Sequence, residues 1–345
     1  MLNGVKSLPV WLAVLLAVAI GGYWYYWQRV AERLPHEVEA WIAEQSRDGR
    51  HFSHQGIEIR GFPSRFEIHL DGPSVELTKD QRKIAWQWHQ AVVIMQSWNL
   101  NHQIIDLIGD GAMKVSKADD VVRRIDFAAE RAMASVRFSK NGELLVLAAD
   151  IENLTTKGDS PIRSVGRTQF HLRKYYGGSE DRPMGSLSFA SLTDDARFVV
   201  SRPAFGDTAD RLNFSFFLNS VPESLSPAAV TRWRDDGGVV ELRAAEMKFG
   251  EIEIKGNATL ALDLQNRVEG AGTMNIYQSE AFLQALVDRG ALDATVALGL
   301  QLAAVALEQE GTEEDPRSFV QLPFSLLDGD ATVSGFPIFQ VPPLY

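Results

Sequence analysis

"GFPSRFEIHLDGPSVEL", residues 61–77, is the stretch that decides the fold. Phe66, Ile68 and Leu70 alternate with Glu67 and His69, and Val75 and Leu77 flank Glu76. A period of two puts the apolar side chains on one face of a strand and the polar ones on the other. "DGP" at 71–73 carries turn chemistry, so the two runs read as neighbouring antiparallel strands.

The alternation continues in both directions. Ile57 and Ile59 precede it, and Ile84, Trp86 and Trp88 follow. The same pattern returns in "ELLVLAADIEN" (143–153), "RTQFHLRKYY" (167–176), "RLNFSFFLNS" (211–220), "GGVVELRAAEMKFG" (237–250) and "EIEIKGNATLALDL" (251–264). Turn signals stand between runs at "TKDQ" (78–81) and "KNG" (140–142). "VEGAGTMN" (268–275), with two glycines, also reads as a turn. The fold class is therefore mainly β (α+β): a large curved antiparallel sheet with a few covering helices, behind an N-terminal helix.

The tripeptide that opens the quoted stretch recurs near the other end, as Gly335-Phe336-Pro337. Proline fixes φ and lacks a donor, and glycine tolerates φ > 0, so both copies read as kinks where a strand enters a sheet. Phe62 and Phe336 would plug an apolar layer; contact with a lipid or ligand is the other reading.

Three stretches have helical spacing. "SPAAVTRWRDD" (226–236) offers Ser226 as N-cap and Pro227 at the first helical position. "SEAFLQALVDRG" (279–290) offers Ser279 as cap and Gly290 as stop. "ALDATVALGLQLAAVALEQE" (291–310) predicts a second helix of that hairpin, lying over one face of the sheet.

The N-terminus is different. No residue from Leu8 to Trp27 is charged, and about 20 such residues cross a bilayer as a helix. Tyr23, Trp24, Tyr25, Tyr26 and Trp27 suit the membrane interface, with Arg29 as an interfacial cation. A cleavable signal with Ala17-Val18-Ala19 as its cleavage box is the rival reading. The expected organisation is a transmembrane signal-anchor over 1–28 and a membrane-proximal helix over 29–50, in which Val38, Trp41 and Ile42 share a face. A β-rich domain over 51–345 follows, which a break near 220–236 would divide into two halves. This predicts a single-pass chain with its bulk extracytoplasmic.

Composition narrows the function. The 345 residues carry 34 basic and 45 acidic side chains, a net charge of −11, which disfavours a nucleic-acid partner. The absence of cysteine excludes disulfides, thiolate metal sites and a thiol nucleophile. The seven histidines show no zinc spacing; His51 and His54, three apart, would point to opposite faces of a strand. Asp119-Asp120, Asp194-Asp195 and Asp235-Asp236 read as loop acids. No serine elbow, phosphate loop or dinucleotide fingerprint occurs, so neither an enzyme nor a cofactor is expected. The aromatic residues Trp86, Trp88, Trp98, Phe214, Phe216 and Phe217 are the candidate apolar-ligand face, with core packing as the alternative.

Those residues also carry a resemblance. The helix before the sheet, "GFPSRFEIHLDGPSVEL", "IAWQWHQAVVIMQSWNLNHQIIDLIG" (84–109) and "LPFSLLDGDATVSGFPIFQVPPLY" (322–345) resemble a bacterial envelope family. It is catalogued as domain of unknown function 2125 and found mostly in alphaproteobacteria. Gly61, Phe62, Pro63, Trp86, Trp98, Asp328, Gly329, Gly335 and Pro337 are its marks; Ser64 stands where the family usually has an aromatic. The resemblance implies a location, a bacterial inner membrane with the bulk of the chain periplasmic, and a fold rather than an activity. Residues 237–277 are also similar, more faintly, to AsmA-like envelope proteins, which implies an apolar sheet groove linked to lipid traffic.

Three functions remain. The first is a membrane-anchored envelope protein binding lipid or another apolar ligand on a sheet face. The second is a scaffold for other envelope proteins, and the third a hydrolase of envelope material using paired carboxylates.

Overall fold

The computed structural model describes residues 8–46, 49–79, 82–117, 120–177, 183–199, 205–290, 293–311 and 315–345. Strands dominate, and among the described residues the pairings that build the sheet over residues 50–128 and 144–340 are antiparallel. The chain divides into two compact units. The first contains the described residues up to Ala128 with Ala132–Val136, and the second contains Ala129–Arg131 and Arg137–Tyr345. Residues 220–236 lie inside the second unit.

In the first unit, one helix, α1 (Leu8–Gln45), takes in both N-terminal segments, with Pro35 inside it. The strands are β1 (Arg50–Ser53), β2 (Gly56–Arg60), β3 (Arg65–Asp71), β4 (Ser74–Lys79), β5 (Arg82–Gln96), β6 (Asn99–Lys117) and β7 (Asp120–Ala128). The long β5 is shared: its start pairs with β4 and its end with β3, because Gly72-Pro73 turns the chain between those two. β2 extends the sheet beyond β3, β1 extends it beyond β4, and β6 and β7 follow β5 on its other edge.

The second half of α1 lies on this sheet. Trp27, Val30, Ala31, Leu34 and Val38, spaced at about a helical repeat, pack on Phe66, Ile68 and Met95 from β3 and β5. Trp27 is 6% exposed and Phe66 0%. Their rings stack at 5.3 Å, and the indole N–H donates to the Arg65 carbonyl at 3.1 Å. Fully burying such a side chain contributes about 1.5–3 kcal/mol.

Gly61-Phe62-Pro63 is the connection between β2 and β3, with Gly61 at φ +102° and the Arg65 N–H returning to the Gly61 carbonyl at 3.2 Å. Phe62 does not plug a layer. It is 47% exposed and meets Trp27 edge-on at 5.4 Å. The second copy works differently. Gly335 closes the tight turn between β18 (Asp330–Val333) and β19 (Phe336–Gln340), and Pro337 sits where that pairing shifts register. One sequence device serves two local purposes.

β8 (Arg131–Phe138) is divided between the units. The second unit is a meander of β9 (Leu144–Gly158), β10 (Ile162–Lys174), β11 (Leu187–Phe198), β12 (Thr208–Leu218), β13 (Val240–Phe249), β14 (Ile252–Leu262), β15 (Val268–Tyr277), β17 (Phe319–Leu327), β18 and β19. Each strand pairs with the one before it. The exception is β17, which pairs with β15 after α3 (Ser279–Asp288), α4 (Ala294–Leu307) and the two-residue β16 (Glu308–Gln309) intervene. α2 (Pro227–Asp235) bridges β12 and β13, capped by Ser226 as expected.

Three expectations change. Residues 268–275 are strand β15 rather than a turn. Their glycines are there for close approach: a Cβ on Gly272 would stand 2.1 Å from the Asn257 carbonyl oxygen and 2.7 Å from the Phe324 ring. The residue capping α3 is Gln278, at φ 57°, and no side chain closes that end. Finally, α4 does not cover the sheet with a buried face: Leu298, Leu300, Leu302, Val305 and Leu307 are all exposed. α3 meets the sheet through Phe282, which stacks on Phe205 beside Phe249.

Candidate functional site

Register fixes which side chains share a face, and in the second unit it assembles a long apolar track. One row runs Leu147, Leu172, Phe189, Phe216, Leu242, Ala258, Gly272, Phe324 and Val333, crossing from β9 to β18 with no polar residue. The row beside it runs Ala149, Phe170, Ser191, Phe214, Ala245, Gly256, Met274 and Leu322. Phe189 and Phe216 stack at 4.8 Å. Nearly all of these side chains are only half-buried, Ala258 being buried. A sheet face packed under a second layer would hide them.

The opposite face is a ladder of charges. Arg167 pairs with Asp150 at 2.8 Å, Arg211 with Asp194 at 3.0 Å and Lys255 with Glu253 at 2.9 Å. At its far end Arg317 reaches Glu253 at 2.5 Å and lies over the Tyr277 ring. Burial works against the Glu253 carboxylate, but hydrogen bonds from Arg317 and Lys255 outweigh it and hold its pKa below the ordinary value. The Arg317 guanidinium likewise holds the Asp315 carboxyl well below the usual range. The two faces leave no doubt about which is apolar.

The six aromatic candidates are not brought into one patch. Phe214 and Phe216 lie on the apolar track, whereas Phe217 is on the other face, 5% exposed beneath the Arg243 guanidinium. Trp86 and Trp88 belong to the first unit. Trp86 stands in an apolar row with Phe52, Val75, Met113 and Ile125. Trp88 is a core residue, 5% exposed, its indole N–H donating to the Ile108 carbonyl at 3.1 Å. Trp98 caps the β5–β6 hairpin and is 73% exposed. Alternation could have found most of the track, since Leu172, Phe189, Leu242 and Phe324 each sit in phase with their strands. Pairing order, which selects the rows, is absent from a single strand's pattern.

The N-terminal aromatic residues divide in the same way. Tyr23 hydrogen-bonds Pro63 and Ser97, Tyr26 donates to the Ser97 carbonyl at 3.1 Å, and Trp27 is core. Trp24 and Tyr25 stay exposed, with Arg29 donating to the Tyr25 hydroxyl at 3.0 Å. Tyr23, Tyr26, Trp27 and Phe62, with ring contacts at 5.4, 6.2 and 6.4 Å, form an aromatic collar where α1 meets the β2–β3 connection. Beyond the collar, Trp11, Leu12, Val14, Leu15, Leu16, Val18 and Ile20 are at least half exposed. Among the described residues no helix is long and apolar enough to cross a membrane.

Polar chemistry gathers elsewhere. A cavity of about 420 Å³ in the first unit is lined by Gln55, Ser74, Glu76, Lys83, Gln87 and Lys114, among others, with Glu76 and Lys83 paired at 2.7 Å. The nearby His54 imidazole meets Glu39 at 3.0 Å. The acid pairs are not convergent: Asp194 is held by Arg211 and Asp235 by Arg234, while Asp236 ends α2. Asp119 lies outside the described residues. The marks Asp328 and Gly329 are turn residues, both at positive φ, joining β17 to β18.

No curated protein matches this chain. A family profile does, across residues 27–342, and so spans the strands of both units and the closing hairpins; the fainter AsmA-like likeness is not shown by it. The chain belongs to the family described as an uncharacterized protein conserved in bacteria (DUF2125).

Proposed function

We propose that this protein is held at a bacterial membrane by the start of α1 and shelters acyl chains on the apolar track of its second unit. The observation that supports this best is the unbroken row from Leu147 to Val333, apolar throughout and half-buried apart from the buried Ala258, with the Arg167–Asp150, Arg211–Asp194 and Lys255–Glu253 pairs on the reverse. Extended hydrocarbon fits such a surface because the attraction is non-directional and scales with area, at about 0.8 kcal/mol per buried methylene. The charged ladder on the reverse keeps the outer face in water. The membrane part of the reading is supported by the bare apolar stretch 11–20, which ends in tyrosine and tryptophan side chains suited to an interface. The sheet units then lie on the extracytoplasmic side.

Lipid extraction and mass spectrometry of the purified full-length chain test this. The expected result is phospholipid retained in stoichiometric amount after exchange into lipid-free detergent, and lost in a Phe214→Asp, Leu322→Asp variant that keeps α1. Equal retention by both proteins would place the lipid on a helix rather than on the sheet and defeat the track.

A further inference from the structure

α4 has no charged residue from Ala294 to Leu307, and charges return at once outside it, at Asp293 and at Glu308 and Glu310. Its large side chains are open to solvent: Leu298 60%, Leu300 44%, Leu302 69%, Val305 69% and Leu307 50% exposed. At about 100° per residue, Leu298, Leu302 and Val305 fall on one side of the helix and Leu300 and Leu307 on the opposite side. The ends are fixed. The Ala297 N–H returns to the Asp293 carbonyl at 2.8 Å, and Glu308 joins β16, which pairs with β17. A protein groove covers one side of a helix. A surrounding fluid of hydrocarbon covers opposite sides at once.

We propose that α4 is a second membrane contact, a helix that dips into the acyl region of one leaflet of a lipid bilayer. Its 14 residues span about 21 Å, too short for a bilayer core of about 30 Å, so it enters and does not cross. Acidic residues at both ends stay in the headgroup layer. This goes beyond the reading given above: it concerns a different element, and neither α1 nor the apolar track requires it.

The chain contains no cysteine, so a single introduced one is labelled without background. Leu298→Cys, Leu300→Cys, Leu302→Cys, Val305→Cys and Leu307→Cys full-length proteins, each carrying an environment-sensitive fluorophore, are reconstituted into phosphatidylethanolamine–phosphatidylglycerol vesicles. Lys140→Cys, on an exposed turn, is the reference. The expected result is blue-shifted emission, quenched by lipids spin-labelled in the acyl chain, at all five α4 positions and not at Lys140. Quenching confined to 298, 302 and 305 would mean a helix lying on the bilayer surface with one face in lipid, and would overturn the proposal that acyl chains surround it. Absence of quenching at all five would do the same, while co-flotation of the chain with vesicles reports on α1 separately. A Leu302→Glu, Val305→Glu variant should abolish quenching at position 300 with an unchanged circular dichroism spectrum; undiminished quenching would also count against insertion.

Discussion

Two apolar sheet faces built from the same alternation have different fates. Around Phe66, Ile68 and Met95, in the first unit, α1 lies across the sheet and the side chains fall to 5% exposure or less. Around Phe170, Phe189, Phe214 and Phe216, in the second, the sheet has an equally apolar face, and those rings remain half-buried. The lesson is that alternation specifies a face, whereas a separate element specifies its cover. Where the chain supplies the cover, the face is core. Where it does not, the face stays half-buried.

Substitutions can break that contrast, beginning with the largest effect. Trp27→Ala should cost the first unit about 3–5 kcal/mol, by loss of buried area and the cavity left behind, read by denaturant unfolding. Phe216→Ala, on the open face, should cost about 1 kcal/mol in the same assay, because little of its contact is with a second layer. Equal losses would mean the track is covered after all. Gly272→Ala should destabilise the second unit by about 1–3 kcal/mol, since its Cβ would collide with the Asn257 carbonyl oxygen. Survival of full stability there would show that β14 and β15 can move apart.

The charged reverse face gives the smallest, pH-dependent effect. Glu253 has a lowered pKa when folded, so its contribution is complete above the ordinary carboxylate pKa of about 4. It is lost as pH falls through the folded value. Hydrogen-exchange protection factors in β14, corrected for the intrinsic rate, should therefore fall at acid pH, and Glu253→Gln should flatten that dependence without changing the first unit. An unchanged slope in the variant would remove Glu253 from the account.

Much of this architecture was legible. The period of two located the strands because each has one wet and one greasy face, and "DGP" at 71–73 and "KNG" at 140–142 are the turns they looked like. β15 was missed because Gly270 and Gly272 imitate a turn; only the neighbouring Asn257 carbonyl and Phe324 ring explain them. Trp27 looks like an interfacial residue in the sequence because its ring partners, Phe62 and Phe66, are distant along the chain. Phe217 was grouped with Phe216 by adjacency, although neighbours along a strand face opposite ways. The apolar hairpin at 279–307 looked like a cover for the sheet, but apolarity alone does not say against what a helix packs.

The most direct test is a photo-cross-linking map of the full-length chain with phospholipids carrying a diazirine in the acyl chain. The account requires adducts on Leu172, Phe189, Phe214, Phe216 and Leu322, with none on the charged side chains behind them. Adducts restricted to α1 and α4, with the track unlabelled, would contradict it.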